Sequence, residues 1–108
     1  VHGVRKGEEL SYRELIAGFA ARHGERFRYV PFVSREEWPE AMAGRIPAAI
    51  ADGRLQARVG LEFAPELSQV LICGNPAMVK ETQQTLLSLG LAKNLRRAPG
   101  NISAENYW

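Results

Sequence analysis

Cysteine is almost missing from this sequence: Cys73 is the only one in 108 residues, so neither an internal disulfide framework nor a multi-cysteine metal site can form. Histidine is nearly as scarce. His2 and His23 lie far apart with no cysteine or paired carboxylate at ligand spacing, which leaves no pattern for a metal centre. No apolar run approaches the about 20 residues that cross a bilayer. The opening Val1-His2-Gly3-Val4-Arg5 has neither the apolar stretch of a signal peptide nor the composition of a transit peptide. No membrane association is expected, and a lone thiol fits the cytoplasm. A dominant sign of charge is lacking too: 14 Lys and Arg against 12 Asp and Glu leave +2, too mild for a nucleic-acid partner on charge alone. Any anion site must be local. Ser11, Ser34, Ser68, Ser88 and Ser103 have no nucleophile motif around them, which argues against hydrolytic chemistry.

What is present is ordinary globular composition, 45% hydrophobic and 24% charged, in a length that suits one domain of modest stability. Ser11 to His23 carries Leu15, Ile16, Phe19 and Ala20 at helical spacing, and Ser11 and Glu14 have the spacing of a capping box. Phe27 to Val33 is rich in β-branched and aromatic residues and reads as a strand, with Pro31 near its end. Ser34-Arg35-Glu36-Glu37-Trp38-Pro39 is polar and broken, a surface loop. Pro47 to Ala51, closed by Asp52-Gly53, reads as a short helix. Gln69 to Cys73 is a continuous apolar run, the pattern of a central strand covered on both faces. Asn75 then stands as an N-cap and Pro76 as the first helical residue of Ala77 to Leu89, whose buried stripe is Val79, Thr82, Leu86 and Leu89. Asn101 to Trp108 reads as a terminal extended run. With Val1 to Val4 as a first strand, the alternation predicts an α/β fold: a parallel sheet with right-handed crossovers, flanked by helices on both faces.

In open α/β sheets ligands gather beyond the carboxyl ends of the strands. Arg5 follows the first strand, Ser34 and Arg35 the second, and Cys73-Gly74-Asn75-Pro76 the third, while Arg45 precedes the short helix. Guanidinium forks and a hydroxyl on one edge suit phosphate. The plainer alternative is three solvated arginines partly paired with Glu8, Glu36 or Glu37. Gly74 allows a ligand close to the backbone, and the helix start after it favours anions, although strand, glycine and capped helix recur across α/β proteins. Cys73 reads as a small core hydrophobe or, less often, a functional thiol. Tyr107 and Trp108 place two large aromatics at the free end, to pack on the domain, a planar ligand or a neighbouring domain. A glycine-rich turn after a first strand is absent.

The segments Val1-His2-Gly3-Val4-Arg5, Val33-Ser34-Arg35-Glu36, Gly44-Arg45-Ile46-Pro47, Leu71-Ile72-Cys73-Gly74-Asn75-Pro76-Ala77-Met78-Val79, Thr82-Gln83-Gln84 and Glu105-Asn106-Tyr107-Trp108 resemble, in order and separation, the bacterial ferredoxin/flavodoxin-NADP reductases. The resemblance implies a ferredoxin reductase-like, Rossmann-like NADP-binding domain. Arg5, Ser34, Arg35 and Arg45 would hold the 2′-phosphate and adenosine side of NADP. Cys73 and Gly74-Asn75-Pro76 would border the pyrophosphate and nicotinamide, with Met78 nearby, while Tyr107 and Trp108 would lie against the flavin. Cys73 and Glu105 would be the catalytic candidates, Glu105 handling a proton near the FAD. Ferredoxin or flavodoxin would be the electron partner, with Lys93, Arg96 and Arg97 as a basic face for it or a merely solvated turn, and the full-length enzyme would be a monomer.

The family's FAD-binding β-barrel with its Arg-x-Tyr-Ser/Thr motif, and a first βα unit with a Gly-Thr-Gly loop, have no counterpart in these residues. Residues 1–108 are accordingly expected to be a partial NADP-binding domain, not competent in hydride transfer alone. A stand-alone, non-catalytic nucleotide- or protein-binding module is the competing expectation.

Overall fold

The computed structural model describes residues 1–11 and 13–106. They fall into two compact units, Val1–Ala48 and a second that starts at Ala49.

The first unit is built on three short parallel strands, β1 (His2–Val4), β2 (Pro31–Val33) and β3 (Met42–Ala43), in the order β1-β2-β3. His2 aligns with Pro31 and Val4 with Val33, and Val33 in turn aligns with Ala43. The central strand holds two almost fully buried side chains, Phe32 and Val33. It is shorter than the Phe27 to Val33 expected. Pro31 has no N–H to donate and so suits the first position of a strand. The three residues of β1 also leave no ladder for Phe27 to Tyr29, although Val30 still accepts from the His2 N–H at 3.1 Å. The two-residue β3 was not foreseen.

Between β1 and β2 lies α1 (Arg13–His23), with Arg22 and His23 in the last turn, where positive charge offsets the free carbonyls. The Ser11–Glu14 capping box expected at its start adjoins Tyr12, outside the described residues. The stripe expected to be buried is mostly open: Leu15 is 63% and Phe19 44% exposed. Phe19 turns instead to local aromatic neighbours, with ring centroids 4.5 Å from His23 and 5.2 Å from Phe27.

α2 (Ile46–Ala51) carries Pro47 in its first turn, as read, and ends at a turn where Gly53 takes a positive φ of 85°. A further short helix, α3 (Arg54–Val59), was not read individually; Gly60, at φ 71°, stops it.

The second unit pairs β4 (Val70–Gly74) with β5 (Ile102–Asn106) in a parallel two-stranded sheet, and α4 (Pro76–Ser88) packs against both. The parallel strands thus lie in two sheets among the described residues, where a single one was expected. Val79, Thr82 and Leu86 form the buried stripe of α4, Leu86 being fully buried, whereas Leu89 lies past the last turn and emerges at 38%. Coverage of β4 on both faces is not seen among the described residues. Ile72 is buried, but Leu71 is 87% exposed and Cys73 is exposed as well, because α4 covers a single face.

Asn101 secures the return to β5. Its side chain is buried, accepts the Ala92 N–H at 3.1 Å, and donates to the Pro65 and Ser68 carbonyls at 2.7 Å each. Three backbone groups that would otherwise lack partners are thereby satisfied. Tyr107 and Trp108, the end of the expected extended run, lie outside the described residues. No described helix is long and apolar enough to cross a membrane.

Candidate functional site

Parallel pairing makes the three strands of the first unit end together. Because Val4, Val33 and Ala43 are in register, Arg5, Ser34 and Gly44 leave the sheet at the same end, with Arg35 and Arg45 one residue further on. Pairing continues beyond β1 and β2: the Ser34 N–H donates to the Val4 carbonyl at 3.0 Å and the Arg35 N–H to the Arg5 carbonyl at 2.9 Å. The backbones of the two arginines are therefore neighbours. Arg5, Ser34, Arg35 and Arg45 are all exposed, and neither Arg5 nor Arg35 is in an ion pair with a described residue.

Two of the nearby acids accept backbone N–H groups. One carboxylate oxygen of Glu36 accepts the Gly7 N–H at 2.7 Å, and Glu9 accepts the Lys6 N–H at 2.9 Å. The alternative in which Glu36 neutralises an arginine does not describe this rim. Beyond Arg35 the chain borders an open cavity of about 530 Å³ whose wall includes Glu36, Trp38 and Met42. The sequence reading missed Gly7, and it weighed Glu36 only as an ion-pair partner and Trp38 only as part of a surface loop. Only Gly7, a glycine among charged residues, gave a signal.

The second unit presents a different strand end. Cys73 and Gly74 close β4, and Asn75 caps α4, its side-chain oxygen accepting from the Ala77 N–H at 2.8 Å and the Met78 N–H at 3.4 Å. Pro76 fills the first helical position, where a missing N–H costs nothing. Gly74 has φ 136°, a value that favours glycine, and a Cβ there would lie 3.2 Å from the Met78 methyl. The Met78 sulfur in turn accepts the Thr82 hydroxyl at 3.4 Å. Cys73 is exposed and stands opposite Glu105 in the ladder, so that both side chains project from the same uncovered face. Among the described residues Cys73 is therefore not part of the core. Tyr107 and Trp108, named beside these residues, are outside the described part. No group of three or more metal-ligating side chains occurs among the described residues.

Residues 1–84 match the family model described as the oxidoreductase NAD-binding domain. The flavodoxin/ferredoxin-NADP reductase of Escherichia coli (strain K12) is 42% identical over 109 residues, covering 100% of this chain and 44% of that protein. The ferredoxin-NADP reductase of Pseudomonas aeruginosa is 34% identical over 114 residues, covering 97% of this chain and 43% of that protein. Among solved structures, a ferredoxin NADP+ reductase from Neisseria gonorrhoeae with bound FAD and NADP superposes with a TM-score of 0.84 at 37% identity, over 99% of this chain and 43% of that one. The chain thus spans less than half the length of these relatives. A family match that reaches from the first strand into α4 takes in both strand ends described above, and it identifies the chain as a member of the oxidoreductase NAD-binding domain family.

Proposed function

We propose that these residues form the NADP-binding part of a flavin-dependent ferredoxin or flavodoxin-NADP reductase, following an FAD-binding β-barrel. The observation that carries this reading is the Arg35 N–H to Arg5 carbonyl bond, which makes neighbours of the backbones of two arginines that no described acid neutralises. Such a pair, with the Ser34 hydroxyl and Arg45 beyond the same strand ends, suits a phosphate monoester: the fork of donors on each guanidinium matches its oxygens. Arg5, Ser34, Arg35 and Arg45 would hold the 2′-phosphate and select NADP over NAD, because without that phosphate Arg5 and Arg35 lose their partner.

The turn at Gly74-Asn75-Pro76 fits the other end of the cofactor. Gly74 leaves room for close approach, and α4 begins there with a partial positive charge. Cys73 and Met78 would border the nicotinamide, Glu105 would hold a proton nearby, and Tyr107 and Trp108 would lie against the flavin. When bound, the flavin would supply the hydride exchange with nicotinamide and the one-electron steps to the carrier. Lys93, Arg96 and Arg97, all exposed, would offer an acidic ferredoxin or flavodoxin a basic face. The whole protein is proposed to act as a cytoplasmic monomer.

The test is Arg35→Ala in the protein with its full natural sequence. NADP binding is expected to weaken by about 1.5 to 3 kcal/mol, the range for a hydrogen bond to a charged group, with NAD binding little changed. Equal losses for both cofactors in a titration would refute the assigned role.

A further inference from the structure

Glu36 is an acid on a rim that would bind an anion, and simple electrostatics makes it a liability there. Its geometry gives another account. The carboxylate accepts the N–H of Gly7, 29 residues away in sequence, at 2.7 Å. Two residues earlier along the first loop, Arg5 accepts the N–H of Arg35 at 2.9 Å. The loops beyond β1 and β2 are therefore joined twice, once at Arg5 to Arg35 and once at Gly7 to Glu36. Trp38 completes the joint: its indole occupies the space that a Cβ on Gly7 would need. Gly7 is buried beneath it, and the 3-10 turn Gly7–Glu9 starts at that point, with the Leu10 N–H donating back to the Gly7 carbonyl at 3.1 Å.

We propose that Glu36, together with Trp38 over Gly7, is a positioning device that holds the Arg5 and Arg35 backbones in register beyond the sheet and thereby sets discrimination for a 2′-phosphorylated nucleotide. The proposal rests on the phosphate reading of the rim given above. The carboxylate acts through its hydrogen bond, and its charge works against the guest. An acceptor is required at residue 36 and a negative charge is not, while residue 7 must lack a side chain.

The two contributions have opposite signs, which makes them separable. In the protein with its full natural sequence, affinities are measured for 2′,5′-ADP and 5′-AMP, which differ only in the 2′-phosphate. Glu36→Ala is expected to lower the ratio of the two affinities by about three- to tenfold, the scale of one hydrogen bond's net contribution. The Gly7 N–H should also exchange with solvent faster. Glu36→Gln, whose amide oxygen can accept the same bond, should keep the ratio at or above that of the wild type. A ratio that rises in Glu36→Ala would mean that only the charge matters, and a ratio that falls equally in both variants would mean that the charge itself is needed; either overturns the proposal. An unchanged ratio in Glu36→Ala overturns it as well. Equal affinity of the wild type for the two probes would defeat the phosphate reading itself, and this proposal with it. Wild-type discrimination combined with contrary variants defeats the proposal alone.

Discussion

The two strand ends solve the problem of presenting groups to a ligand in different ways. In the first unit, three parallel strands stop in register and hand over to loops whose backbones stay hydrogen-bonded one residue further. What that end offers is side-chain charge at Arg5, Arg35 and Arg45. In the second unit, β4 runs straight into a capped helix, and what is offered is backbone: a glycine at φ 136° and the first turn of α4 behind Asn75. Charge on loops discriminates between guests that differ by one phosphate, whereas a shaped backbone admits whatever they share. On the function proposed above, the rim of the first unit is expected to decide between NADP and NAD, and the turn of the second to act on both alike.

The largest expected effect attacks the footing of the shaped end. Leu86→Ala empties a fully buried site in the stripe of α4, and should lower stability by about 3 kcal/mol in urea unfolding; a loss below about 1 kcal/mol would show that this helix is not the anchor of its unit. Gly74→Ala sharpens the contrast more directly. Strain at a positive φ should weaken NADP and NAD alike, by about 1 to 2 kcal/mol, leaving their ratio unchanged. A changed ratio in paired titrations would erase the division of labour. Asn75→Ala, which removes the cap, should cost about 1 kcal/mol of stability, while Asn75→Asp should restore most of it by thermal melting.

The smallest effect is an acid sensitivity at Asp52. The Arg54 backbone N–H, then its guanidinium, hold the Asp52 carboxyl below its ordinary value, so the pair favours the folded state above the usual carboxylate range. That contribution fades as the pH falls through the lowered folded value. Asp52→Asn should flatten this part of the stability profile, and a profile unchanged below about pH 4 would remove the pair from the account.

Legibility followed the range of the forces involved. Asn75-Pro76 and the helix after it could be read because capping is local, whereas β5 was read only as part of a longer terminal run, Asn101 to Trp108. The stripes of α1 and α4 were visible as periodicity, but periodicity does not say what covers a stripe: Leu86 is buried while Leu15 and Phe19 are open. The same gap misled the reading of β4, where the four apolar residues Val70 to Cys73 suggested two covered faces and only Ile72 is buried. β3 escaped because two residues make no pattern, and its position depends on turns at Glu40 and Gly44, both at positive φ. At the candidate site, the arginines could be placed from the strand ends alone. Their link through Glu36 and Gly7 could not, since it joins residues brought together only by the pairing of β1 with β2.

The guanidinium rim of the first unit has one more consequence, for acidity. Arginine keeps its proton throughout the accessible range, and neither histidine stands at that end of the strands: His2 begins β1 and His23 ends α1. On the phosphate reading proposed above, the attraction of the rim for a guest would not switch near neutrality. Any bend in affinity there should belong to the visitor, tracing the second ionisation of its own monoester at about pH 6.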